Sequence, residues 1–274
     1  MYKIIKKRIL AENIVEFVID APAVTLNAKP GQFIILRVDG DGERVPFTIC
    51  DMDKEKGTVT ILVQTVGYST KLLAQKSEGE TIRDFVGPLG RPTDLTEFKK
   101  TVMVGGGIGA AVIYPQAKFL KSIGKPADVI VGARNKSLIM YETEFKAAAR
   151  NLYIATDDGS YGRKGFVTDV LKEVLDNARY DAVFAVGPMP MMRAVCELTK
   201  QYGVHTVVSM NATMVDGTGM CGGCRVSVGG KALYACVHGP EFDGHLIDWD
   251  TAINRSGNYR EQEAAHLCKL KVNG

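Results

Sequence analysis

The hydrophobic pattern changes its period near Thr101, and that change restricts the chain to two kinds of architecture joined in series. Before it, residues 3–10, 14–21, 32–39, 45–52, 58–65 and 81–88 each read as a strand, with β-branched and aromatic residues in short runs. Gly and Pro punctuate these runs, at Pro30-Gly31, Asp41-Gly42, Lys56-Gly57 and Gly79. A single helical stretch, residues 69–76, interrupts them. Strands of this length without intervening helices predict an antiparallel β-barrel over residues 1–97. After Thr101, residues 101–107, 127–134, 152–158 and 181–188 read as buried strands, and helical patterns at 110–124 and 165–179 lie between them. That alternation predicts an α/β domain with a parallel, doubly wound sheet over residues 98–208. The remainder divides into a small cysteine-bearing subdomain, 209–243, and a polar tail, 244–274.

A chain of 274 residues is long enough for two domains that each bury a core. Its 46% hydrophobic and 24% charged content is ordinary for a globular protein. The net charge is +3, and its cations are scattered rather than striped, which argues against a nucleic-acid partner. The longest apolar run, 102–115, is too short and too rich in Gly for a membrane span. The N-terminal stretch lacks the apolar core of a signal peptide, so the six cysteines are expected in a reducing cytoplasm. Cys50, Cys196 and Cys268 have no partner spacing and are expected to be buried thiols.

The other three cysteines share a register. Asp216 is followed by four residues, Cys221, two residues, Cys224, and after eleven more, Cys236. A plant-type [2Fe-2S] site has this spacing with a cysteine in the first position. Here a carboxylate stands in that slot. Gly217, Gly219, Gly222 and Gly223 let the loop wrap a cluster and aim backbone N–H groups at it. Gly229-Gly230 predicts a hairpin turn that brings Cys236 back on the far strand. Other uses of these residues exist. A zinc ion bound by the three cysteines and His238 would need a spacing tighter than usual. A Cys221/Cys224 dithiol belongs at a helix start and leaves Cys236 idle. A disulfide framework is out of place in a long chain without a leader.

Two further signals concern nucleotides. A strand runs into Gly105, Gly106, Gly107, Ile108 and Gly109 and then a helix, a turn that admits a pyrophosphate to the backbone and to the positive helix end. A plain tight turn has the same composition. Arg134, Asp157 and the run Gly187, Pro188, Met189 end further parallel strands, where ligands of open sheets bind. In the first domain, Pro46, Phe47 and Thr48 place an aromatic ring and a hydroxyl along one strand, and Gly67, Ser69 and Thr70 stand at a helix start suited to a flavin pyrophosphate. An ordinary helix cap would use the same residues.

Taken with Gly87-Pro88-Leu89-Gly90 and Cys236-x-x-Gly239-Pro240, these motifs resemble the ferredoxin-reductase superfamily over nearly the whole chain. The chain is most similar to the small subunit of NADH-dependent ferredoxin:NADP oxidoreductase, also called sulfide dehydrogenase, and to its sister group, the electron-transfer subunit of type B dihydroorotate dehydrogenase. The superfamily's flavin motif places an arginine two residues before its aromatic residue, whereas Arg44 stands one residue earlier and Val45 fills that slot. The Asp216 ligand and the long tail resemble the first branch. The resemblance implies FAD, a [2Fe-2S] cluster on Asp216, Cys221, Cys224 and Cys236, and NAD(H). It implies a heterodimer with a larger subunit carrying its own FAD and [4Fe-4S] clusters, and flavin-based electron bifurcation that links NADPH with NAD and ferredoxin. The alternatives are the dihydroorotate branch and, in another class, a zinc-stabilised nucleotide-binding regulator.

Overall fold

The structure, a computed structural model, describes residues 1–40 and 42–257. The first unit runs β1 (Tyr2–Ala11), β2 (Ile14–Asp20), α1 (Pro22–Asn27), β3 (Phe33–Arg37), β4 (Val45–Thr48), β5 (Asp51–Asp53), β6 (Thr58–Gln64), α2 (Tyr68–Gln75), β7 (Thr81–Ile82) and β8 (Asp84–Leu89). Its strands form two antiparallel sheets, in the orders β5-β6-β2-β1-β7 and β4-β3-β8. Two stretches of chain serve both sheets: 45–53 supplies β4 and then β5, and 81–89 supplies β7 and then β8. Alternate residues of β2 and β6 point inward, so Phe17, Ile19, Ile61 and Val63 pack with Ile34 and Phe85 between the sheets. The helix expected at 69–76 is α2. It is not the only helix here, because Pro22 at the first helical position starts the short α1.

The second unit runs β9 (Thr101–Gly106), α3 (Gly109–Ser122), β10 (Asp128–Ala133), α4 (Glu142–Ala148), β11 (Asn151–Thr156), β12 (Arg163–Lys164), α5 (Val167–Asn177), β13 (Ala182–Val186), α6 (Met189–Tyr202) and β14 (His205–Ser209). Its C-terminal continuation runs β15 (Arg225–Val228), β16 (Lys231–Tyr234), α7 (Ala235–His238), β17 (Glu241–Asp243) and α8 (Trp249–Arg255). The sheet has the order β12-β11-β10-β9-β13-β14-β17, and every neighbouring pair is parallel except β14 with β17. β9, β10 and β13 are buried along their whole length, which is why they read as continuous apolar runs rather than alternating ones. The chain works outward from β9 to one side, then returns to β13 on the other. The crevice of this sheet therefore opens between the carboxyl ends of β9 and β13.

Polar contacts fasten the two units together. The Tyr141 hydroxyl at the start of α4 donates to the Glu16 carboxylate at 2.7 Å, and Arg8 grips the same carboxylate through Nε and Nη2, each at 3.0 Å. Lys118 of α3 reaches Asp51 of β5 at 2.7 Å. Cys50 and Cys196 are buried as expected, and burial pushes each thiol up to about 12. Cys268 lies outside the described residues.

Candidate functional site

A cavity of ≈ 990 Å³ opens where the first unit faces the carboxyl ends of β9 and β13. Pro46, Phe47 and Thr48 of β4 line it from the first unit, and Gly106, Gly107, Ile108 and Gly109 line it from the second. Arg134, Asp157, Gly187 and Pro188 complete the strand-end side, and Met210, Asn211, Ala212 and Met214 carry the lining toward the cysteine loop. The wall is largely apolar side chain and glycine backbone with few polar groups, the character of a cofactor pocket.

The glycines divide by task. A Cβ at Gly105 would sit 2.7 Å from the Cα of Ala110, so this residue lets α3 pack on β9 and does not reach the cavity. A Cβ at Gly109 would meet the Val186 carbonyl oxygen at 2.1 Å, so Gly109 holds α3 against β13 while also lining the cavity. Gly107 differs from both. Its φ is +55, and a Cβ there would meet nothing within 4 Å. The backbone at Gly107 thus presents an open cradle at the start of α3, which fits a dinucleotide.

Several expected residues lie elsewhere. Met189 is 8% exposed and packs in the core beneath α6, and Pro190 and Met191 take the cavity face instead. At a helix start, one residue of phase decides which side chain faces the ligand side. Gly67, Ser69 and Thr70 do stand at the start of α2, but they do not line this cavity. The Thr70 hydroxyl donates to the Gly67 carbonyl and accepts its amide, each at 2.9 Å, and Ser69 donates to Glu43 at 3.2 Å. Arg44 is exposed and is not part of the wall.

The loops after β10 and β11 are tied together. The Asp157 amide donates to the Ala133 carbonyl at 3.1 Å and that of Asp158 to the Arg134 carbonyl at 3.2 Å. The Asp158 carboxylate is held below the usual range by the Ser160 hydroxyl and amide, and Lys136 lies over the Tyr161 ring at 5.1 Å. Asp157 and Arg134 are left as the charged residues on the cavity wall.

In the cysteine loop the potential ligands fall into two pairs. Cys224 and Cys236 are buried with their sulfurs 3.2 Å apart. Asp216 and Cys221 form the second pair. Asp216 accepts the Thr218 amide at 2.9 Å and the Cys221 amide at 2.8 Å, and these backbone donors hold its carboxylate below the usual range. Burial and the neighbouring Cys224 push the Cys236 thiol up to about 12. Two buried thiols in contact cannot both ionise without a positive centre beside them, and a metal supplies one. Among the described residues no three His, Cys, Asp or Glu side chains converge on a single ion position. Three thiols and a carboxylate carried by one short segment are donors that an iron–sulfur group can use. His238 is also turned away from a ligand role, because its Nδ1 accepts the Tyr234 amide at 3.0 Å. The Gly229-Gly230 turn forms with φ of +56 and +77, as a two-residue hairpin needs. Cys236 does not sit on the far strand of that hairpin. It lies two residues past the end of that strand, in α7. Positive φ at Gly217, Gly219 and Gly222 gives the loop its curvature.

Comparison with known proteins places both ends of the chain in known families. Residues 1–93 match the oxidoreductase FAD-binding domain family, and residues 211–248 match the iron-sulfur cluster binding domain of dihydroorotate dehydrogenase B. The electron transfer subunit homolog of dihydroorotate dehydrogenase B (NAD(+)) from Thermotoga maritima is 44% identical over 261 residues, covering 95% of this chain and 92% of the relative. The electron transfer subunit from Bacillus caldolyticus is 35% identical over 245 residues, covering 86% and 93%. The chain belongs to the family of dihydroorotate dehydrogenase B electron-transfer subunits and their homologues. A chain of the solved NADH-dependent reduced ferredoxin-NADP oxidoreductase, a structure studied for flavin-based electron bifurcation, superposes with a TM-score of 0.93 at 42% identity, covering 98% of both chains. The cytochrome P450 reductase of Amycolatopsis, at 20% identity and a TM-score of 0.64 over 75% of this chain and 68% of its own, shares the fold. This electron-transfer family member is therefore an oxidoreductase subunit with an FAD-binding domain and an iron–sulfur domain. Among its described residues no helix is long and apolar enough to cross a membrane.

Proposed function

We propose that this subunit passes electrons between NAD(H), FAD and a [2Fe-2S] cluster to a larger flavin- and iron–sulfur-bearing subunit, in a bifurcating reaction that links NADPH with NAD and ferredoxin. One observation carries this reading. A single cavity lining joins the β4 strand, the Gly107 cradle and Met210, Asn211, Ala212 and Met214, which lead directly into the Asp216 loop. The two sheets of the first unit, sharing strands at 45–53 and 81–89, are read as the flavin barrel. The 42% identity over 98% of a relative studied for flavin-based electron bifurcation supports this reading, and the 35% to 44% identity to dihydroorotate dehydrogenase B electron-transfer subunits and their homologue supports the alternative, the dihydroorotate branch. Bound here, a flavin supplies exchange between two-electron and one-electron steps, and a two-iron cluster supplies one-electron relay. The chain itself binds and orients. Phe47 and Pro46 give the flavin an apolar face, and Thr48 a hydroxyl. The Gly67 end of α2, with the Ser69 and Thr70 hydroxyls, would hold its pyrophosphate. Gly107 would admit the nicotinamide dinucleotide; on the cavity wall Asp157 would repel a 2′-phosphate and Arg134 would attract one, and the NADH-dependent relative is what favours NADH. Asp216, Cys221, Cys224 and Cys236 hold the cluster. The purified chain is expected to release FAD on denaturation and to bleach its flavin with NADH. Release of FMN, or no flavin at all, would overturn the assignment.

The tail is the proposed subunit contact, and its first part already has a role within this chain. Asp250 of α8 pairs with Arg193 at 2.7 Å, Trp249 donates to the Gly244 carbonyl at 3.1 Å, and Arg255 donates to the Gly223 carbonyl at 3.3 Å. Residues 258–274 lie outside the described residues. Deletion of 258–274 is expected to weaken capture of the larger subunit while sparing the visible spectrum. Deletion after Gly244 is expected to lose the cluster as well. Co-purification and absorbance of both truncations check this, and full-strength capture without 258–274 would remove the tail from the interface.

A further inference from the structure

Glu241 opens β17 at a point where three parts of the chain meet. Its carboxyl accepts from Gln116 Nε2 of α3, and the same nitrogen donates to Thr93 Oγ1 at 2.9 Å. Thr93 belongs to the segment between β8 and β9 and is anchored to the first unit, its amide donating to the Pro30 carbonyl at 3.0 Å. Gln116 is fully buried, on the helix whose first turn forms the Gly107–Gly109 wall of the cavity. Glu241 follows Pro240, another cavity residue, and pairs with Ser209 across the β14–β17 ladder. The cluster therefore ties the nicotinamide helix, the interdomain segment and the strand that follows the last cysteine.

Its hydrogen-bond count does not close. Gln116 Oε1 and Glu241 Oε2 are both enclosed with no donor. Orphaned acceptors of this kind are costly. An ionised carboxylate adds only acceptors, whereas a neutral acid brings an O–H. Burial acts in the same direction and pushes Glu241 up to about 7, against smaller opposing effects of Thr93 and Gln116. Charged groups on the surrounding elements face other partners. Lys118 of α3 pairs with Asp51, Asp94 of the joining segment with Thr96, and Asp243 of β17 lies 3.8 Å from His205 of β14. Arg91 is exposed. None of them acts on the Glu241 carboxyl.

We propose that Glu241 is a proton-bearing positioning residue, which in its neutral form holds α3 and the interdomain segment to the cluster-bearing part of the chain. The inference does not depend on the bifurcation reading, since its readouts need neither NADH turnover nor the larger subunit. In the folded chain the carboxyl keeps its proton up to about 7, and unfolded it titrates near the ordinary 4.5. Between those values only the folded state binds the proton, so stability is greatest below the lower value and declines as pH rises through the upper. The unfolding constant is expected to rise by up to roughly two orders of magnitude across that window, at about tenfold per pH unit.

The test compares the full-length holoprotein with Glu241→Gln, whose neutral amide retains the shape and does not titrate. Wild type should show a carboxylic-acid C=O band in the infrared that fades as pH rises through neutrality, and the variant should lack it. The variant should also lose this component of the stability slope. Amide exchange, corrected for intrinsic pH dependence, should rise together at residues 107–111 and 217–224 of wild type between about pH 5 and about pH 8, and then level off. In Glu241→Gln it should stay flat. An identical stability slope in both proteins, absence of the band from wild type, or matching exchange in both would each overturn the proposal.

Discussion

Cys224→Ala and Cys236→Ala are expected to lose the visible absorbance of the cluster and most of their iron while retaining FAD. Their sulfurs lie 3.2 Å apart in a buried setting, so removing one leaves the other with neither its pair nor access to water. Loss of mere outer-shell partners costs roughly 10–100-fold in metal affinity, and loss of a ligand should exceed that. Cys221→Ala removes a ligand at the exposed end and should act in the same direction. Asp216 should behave differently. Its oxygens already accept the amides of Thr218 and Cys221, so Asp216→Ala removes both a ligand and the fastening of the loop. Asp216→Cys restores a four-thiolate set and should keep iron, with shifted EPR g-values and a changed potential. His238→Ala should leave iron content unchanged, because that ring serves the Tyr234 amide. Iron analysis and EPR of these variants decide the ligand set. An unchanged spectrum in Asp216→Cys, or iron loss in His238→Ala, would refute it.

Gly107→Val should strongly slow reduction of the flavin by NADH while leaving FAD in place. Two effects add. A residue with a Cβ pays roughly 1–2 kcal/mol for left-handed backbone, and a β-branched one more. The new side chain also projects into the open cradle of the cavity, where a dinucleotide would have to approach. A loss of roughly tenfold or more in the second-order reduction rate is expected, equivalent to about 1.4 kcal/mol or more. Gly107 belongs to the strand-end side of the cavity and Pro46, Phe47 and Thr48 to the first unit, so flavin content should be unaffected. Stopped-flow reduction separates these outcomes, and wild-type rates in Gly107→Val would move the nicotinamide site elsewhere.

Strong periodicity made most of the fold legible. The runs that became β2, β6, β9, β10 and β13 have long apolar or alternating patterns that local sequence cannot disguise. Elements whose patterns are weak were not legible. The short α1 has six residues, too few for a helical stripe, and α6 begins on Met-Pro-Met-Met, where prolines mask the period. At the site, backbone requirements read well and side-chain tasks read poorly. Glycine at 107 is demanded by a positive φ, and the cysteine spacing brings the sulfurs of Cys224 and Cys236 together. A short hydroxyl serves equally as ligand or cap, so nothing in Gly-Tyr-Ser-Thr foretells that Thr70 closes on Gly67 and Ser69 on Glu43. Glu241 was invisible for a related reason. An acidic residue at a strand start reads as solvated until the helix carrying Gln116 is laid over it.

The antiparallel ladder between β14 and β17 bears on how such a subunit is built and rebuilt. Val207, Val208 and Ser209 pair with Asp243, Phe242 and Glu241, so the last strand of the large sheet comes from beyond the cysteine loop. The metal-bearing segment is consequently not a detachable cassette. Excising it would strip β14 of its neighbour and leave a row of unpaired backbone groups, an invitation to aggregate. An ancestor lacking this segment would have needed a different cover for that edge, and a chimera that grafts the loop onto another reductase must bring β17 along with it.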